Sequence, residues 1–238
     1  MADNIAPTDP DVSPQTDPTG IAGELRTPKS AAIAGILFAL MLGTIMVLMS
    51  SAIPRDTVHE DTWITNASSR SSVEFAMNLI PFAGIAFLWF IGVIRNRLGV
   101  REDKFFATVF LGSGLLLVGI LFTAAAMMAS ALSVYSDSPN ISRDTLRLEL
   151  VFASTLLVTF GARMAAVFTL SVTMIGLRTQ LVPRWLSVIG VACAVALVLT
   201  PPAPKLTQLV FPIWVLILSL HILVVSIRSP APVAGDHR

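Results

Sequence analysis

The chain has 238 residues, of which 54% are hydrophobic and only 13% charged, and its mean hydropathy is +0.77. Soluble domains carry roughly 25% charged residues, so this composition belongs to the membrane class. A formal net charge of +1 argues against a nucleic-acid binder, which would show a concentrated basic excess, and a single cysteine, Cys193, excludes an intrachain disulfide or a multi-cysteine metal site.

In chain order, residues 1–30 are polar, rich in Pro, Asp and Thr, and repeat Thr-Asp-Pro at Thr8 to Pro10 and Thr16 to Pro18. Such a segment buries too little apolar surface to offset its ordering entropy and reads as a disordered cytoplasmic tail. The first apolar run, 31–53, is longer than a signal-peptide core of roughly 7 to 15 residues, which favours an uncleaved span. It carries Ala31, Gly35, Ala39 and Gly43 at four-residue spacing, a predicted helix-packing face. Small residues one turn apart let backbones approach closely in lipid, where packing drives association. The partner is another span of the same chain or, alternatively, a second copy.

The loop 54–72 holds His59, Glu60, Asp61, Trp63 and the sequon Asn66-Ala67-Ser68. His-Glu-Asp in a row is read as solvated, since adjacent side chains on an extended chain point different ways. The second span, 73–94, has Glu74 at one end, Asn78 a turn deeper, a predicted kink at Pro81, and Trp89 near the far interface. A basic loop leads to the third span, 105–132, which contains Thr123. Spans four to six are predicted at 150–177, 185–199 and 206–227, with a polar cytoplasmic tail at 229–238. The expected fold is all-α, a polytopic membrane bundle of six transmembrane helices in one domain, 31–228.

Placing the amino terminus in the cytoplasm puts ten basic residues inside, among them Lys29, Arg95, Lys104, Arg178, Arg184 and Arg228, and leaves five outside. By the positive-inside rule both termini are then cytoplasmic.

Arg163 breaks the fourth span near its middle. At ~1.5 Å per residue it is expected near the bilayer midplane, where a charge costs ~2.5 to 3.5 kcal/mol on insertion scales and faces protein or water. Its side chain slants toward the helix amino terminus. Asn78, Thr123, Thr155 and Thr159 come to about the same height, which makes Arg163 with these four the candidate intramembrane polar site. Five guanidinium donors need acceptors there, supplied by carbonyls and hydroxyls or, alternatively, by an anion or lipid head group.

The stretch Leu181-Val182-Pro183-Arg184-Trp185-Leu186-Ser187-Val188-Ile189-Gly190, followed by Phe211-Pro212-Ile213-Trp214, resembles the last hairpin of a broad group of bacterial multi-pass membrane proteins of unknown function. The resemblance covers roughly the last third of the chain. It implies a bacterial inner-membrane location and carries no catalytic residue with it.

The sequence has no phosphate-binding loop, no His-Glu-x-x-His and no nucleophile elbow. No Asp or Glu lies centrally in a span, which disfavours a proton- or cation-coupled pump. No catalytic, cofactor-binding or metal-binding residue is predicted. His221 reads as a neutral core histidine bonded to a hydroxyl, and Cys193 as a small packing residue. Two functions remain: a non-catalytic subunit or scaffold of an envelope complex, or a small transporter or lipid/anion-binding protein using Arg163. The expected partners are the lipid bilayer and another membrane protein, with no nucleic acid.

Overall fold

Long apolar runs in a chain bound for lipid fold as helices, because hydrocarbon offers the backbone no hydrogen-bond partners and only a helix satisfies its own. The computed structural model describes residues 28–53, 62–98, 104–137, 143–179, 183–199 and 209–228, and among them there is no strand. The elements are α1 (Pro28–Ala52), a short α2 (Thr62–Thr65), α3 (Ala67–Leu98), α4 (Lys104–Asp137), α5 (Arg143–Thr155), a π-helical turn (Leu156–Gly161), α6 (Ala162–Thr179), α7 (Arg184–Leu199) and α8 (Val210–Arg228). Five rods are long and apolar enough to cross a membrane, α5 and α6 counting as one; α7, at 16 residues, is the shorter sixth. The result is a helical bundle.

Packing closes the rods into a ring in the order α1, α3, α4, α6, α7, α8 and back to α1. Its centre is filled with phenylalanine. Phe38 stacks on Phe87 at 4.3 Å, Phe110 stacks on Phe168 at 5.1 Å, and Phe87 and Phe168 meet at 4.9 Å. Phe211 stands edge-on to Phe38, Phe87 and Phe168. Five different helices each contribute one of these rings, and all five are buried.

One end of the ring is basic, with Lys29, Arg95, Arg178, Arg184 and Arg228. From that end α3 and α4 run for 32 and 34 residues, and the joined α5–π–α6 rod for longer still. At ~1.5 Å per residue these exceed a ~30 Å hydrocarbon core by on the order of 20 Å. The surplus lies at the opposite end, where a second apolar cluster forms from Ala52, Ile64, Val73, Ala124, Met128, Ala131, Leu132, Leu146 and Ala153. The sequon residue Asn66 belongs to this end: its Oδ1 accepts the Ser68 amide at 3.0 Å, capping the start of α3.

The π turn keeps one rod on one neighbour. Leu146, Ala153, Gly161, Phe168 and Ile175 are all buried, at successive spacings of seven, eight, seven and seven residues. Seven residues return to nearly the same side of an α-helix, while eight overshoot by most of a quarter turn. Widening a single turn to i→i−5 bonding, as in Ala162 N–H to the Leu157 carbonyl, absorbs the extra residue and restores the face.

Several boundaries differ from those read in the sequence. The first helix begins at Pro28, inside the segment assigned to the tail, and the fourth begins at Arg143, not 150, because an amphipathic turn with Leu146 on its inner side continues it. Of the expected tails, 1–30 and 229–238, residues 1–27 and 229–238 lie outside the described residues, as does the His59-Glu60-Asp61 stretch. On α1, Ala31, Gly35 and Ala39 are buried, and Gly35 lets Ser219 of α8 and Phe90 of α3 close in on the backbone. Gly43 is a correction: a side chain there meets nothing within 4 Å, because each four-residue step turns ~40° past a full circle and by Gly43 the row has drifted ~80° from the Gly35 face. Gly35→Leu should therefore lower stability in detergent by ~1 to 3 kcal/mol through overpacking. Gly43→Leu should change it by no more than ~0.5 kcal/mol. Equal losses in a thermal or denaturant melt of the two variants would contradict this placement.

Candidate functional site

Arg163 lies two residues past the π turn, and its surroundings follow from that. Gly161 faces α4, 3.4 Å from Ile120 and 3.8 Å from Leu117 for an added Cβ. Two residues further along a helix is ~200° around, so Arg163 points away from α4 to the outer wall of the ring, where it is exposed. Its Nη1 donates to the Thr159 carbonyl, one turn toward the helix amino terminus. A π turn has one carbonyl more than its amides serve, so this neighbourhood suits a side-chain donor.

The depth of Arg163 comes from two registers. Against α4, the Arg178 guanidinium covers the Phe106 ring at 4.7 Å, Gly114 meets Phe168, and Gly161 meets Ile120. This antiparallel series places Arg163 level with Val118 and Gly119. Fifteen residues separate it from Arg178 at the basic end, ~22 Å at ~1.5 Å per residue. Against α7, Gly190 lies against Thr173, which brings Leu199, the last residue of α7, to the height of Arg163. A ~30 Å hydrocarbon core laid from the basic end therefore has Arg163 beyond its middle, in the half away from the basic residues.

The other residues of the predicted polar site do not gather round it. The Thr155 hydroxyl donates to the Val151 carbonyl at 2.7 Å and the Thr123 hydroxyl to the Gly119 carbonyl at 2.8 Å, each one turn back on its own helix. Asn78 is exposed on α3. Only Thr159 touches Arg163, and through its backbone. Glu74 sits 3.8 Å from Arg70 on the same helix, an exposed pair worth at most ~1 kcal/mol. His221 is half-buried with its ring edge-on to Trp185 at 6.3 Å, a ring contact where a hydroxyl partner was expected. Cys193 packs against the main core, as a small apolar residue would.

Two features were not read from the sequence. On the outer wall between α4 and the π turn lies an apolar groove of about 500 Å³, lined by Gly112, Leu115, Leu116, Gly119, Ile120, Thr123 and Leu156. Its floor is open because Gly112 and Gly119 present no side chain. In the core, Trp214 Nε1 comes within 3.0 Å of where a Gly190 Cβ would stand, and Thr173 closes on the same point. Trp214 Nε1 and the hydroxyls of Thr169 and Ser219 are buried without a hydrogen-bond partner. Among the described residues no group of three or more His, Cys, Asp or Glu side chains is placed to hold a metal ion.

The arrangement defines a helical membrane-protein bundle. Comparison with known family models, with curated proteins and with solved structures finds no match.

Since Arg163 and Asn78 stand apart, their substitutions should be additive. A double-mutant cycle of Arg163→Gln and Asn78→Ala, read by unfolding in mild detergent, should give a coupling energy within ~0.5 kcal/mol of zero. A coupling above ~1 kcal/mol would mean that the two side chains share a site after all.

Proposed function

We propose that this chain is a non-catalytic subunit or scaffold of a membrane complex, residing in the cytoplasmic membrane of a bacterium with both termini cytoplasmic. The observation that carries the reading is the filled centre of the ring. Rings from five helices occupy the axis where a conduit or an enclosed substrate chamber would lie. That weighs against a transporter working through one chain and leaves the outer wall as the working surface. The groove on α4 supports the same reading, since a glycine floor allows another helix to come close without a hydrophobic driving force. The basic end supports the orientation, and the resemblance of the last hairpin supports the bacterial membrane.

Orientation is tested in a Cys193→Ser background by an impermeant thiol reagent. Ser68→Cys and Asp137→Cys should label from outside intact cells, and labelling of either only after lysis would reverse the orientation. The subunit reading is tested by a photo-crosslinking amino acid at Leu116 in native membranes. The expected product is one protein adduct of discrete mass, absent when the probe is moved to Val188 on α7. Adducts with lipid alone, together with a lone monomer in native nanodiscs, would sink it.

A further inference from the structure

We infer that Arg163 is the head-group anchor of a phospholipid site on the outer wall of the bundle, in the leaflet opposite the basic end. The inference is independent of the subunit reading above.

The first ground is charge. Arg163 is exposed, and its guanidinium has five donors, of which the Thr159 carbonyl engages only Nη1. The sequence contains no Asp or Glu between Glu74 and Glu102, between Lys104 and Tyr135, or between Glu149 and Gly235. Among the described residues, therefore, no helix of this chain or of a second copy carries a carboxylate at the height of Arg163. The second ground is depth. Arg163 stands ~22 Å along a ~30 Å core from the basic end, and its side chain slants further toward the far boundary, since it bonds a carbonyl one turn outward. A planar fork at that boundary matches a phosphate, which it can hold by two parallel hydrogen bonds. The third ground is the surface beneath. Leu170 and Leu177 follow Arg163 at spacings of seven residues, so the three share one side of α6, and both leucines are exposed, at 40% and 39%. The stripe runs ~21 Å from Arg163 toward the basic end, longer than one ~15 Å leaflet. A phospholipid with its phosphate on Arg163 has its acyl chain along Leu170 throughout that leaflet.

The test uses the full chain in nanodiscs containing a phosphatidylglycerol analogue with a diazirine in its acyl chain. Labelling should be enriched on the α6 peptide holding Leu170 and should fall about tenfold in Arg163→Gln, the change expected for loss of one charge-assisted hydrogen bond. Arg163→Lys, which keeps the charge and loses the fork, should fall in between. Labelling of the α4 peptide holding Leu115 and Leu116 should not change in either variant, which separates the site from general lipid contact. Because Arg163 is exposed, both variants should keep the wild-type melting temperature. Inorganic phosphate at millimolar concentration should not compete; full competition would make this a free-anion site and overturn the lipid assignment. Equal α6 labelling in wild type and Arg163→Gln would also overturn it. So would a protein crosslink from a photo-probe at Leu170, which would mean that a partner helix with its own carboxylate covers the arginine.

Discussion

The extra residue between Ala153 and Gly161 is the constraint on which the bundle depends. A straight α-helix through that point would turn either the Leu146 and Ala153 side or the Phe168 and Ile175 side away from α4. Phe168 would then leave the central cluster, and with it the ring contacts to Phe87, Phe110 and Phe211. The π turn absorbs the residue within six positions and leaves both halves of the rod on the same neighbour. It also sets the direction of Arg163: being two residues beyond the glycine that touches α4, the arginine has only the outer wall to face.

Helix length is the second organising quantity. Hydrocarbon thickness is fixed by the lipid, and a helix can end only where something satisfies its terminal carbonyls. The long rods outrun that thickness, and their surplus carries the second apolar cluster at the far end.

Much of the fold was legible. Six apolar runs, their order and the basic end follow from hydropathy and the positions of Lys and Arg. Gly35 was legible as a close-approach point, because a glycine between two alanines one turn away on either side marks a narrow face. Gly43 was not distinguishable from it, since spacing alone does not say where a row of residues drifting round the helix leaves the contact face. Hydropathy likewise cannot separate exposed residues such as Leu170 from residues such as Ala153, which are apolar because other helices cover them. Nor could side-chain type tell that Thr123 and Thr155 bond their own helices, a local choice open to any threonine in a helix. The seven, eight, seven, seven spacing was present in the sequence, and a search for heptads with one insertion would have found the π turn.

The two apolar clusters are held together by different forces because they face different surroundings. Around the phenylalanine core the alternative to protein contact is lipid, so it is held by dispersion and shape. Around Ile64, Met128 and Leu146 the alternative is water, so the cap is held by the hydrophobic effect, with its large heat-capacity signature. Urea, cooling and salting-out ions act on the second kind of cohesion far more than on the first. With one set of rods carrying both clusters, the cap should loosen in response to the aqueous phase while the ring within the bilayer holds its shape.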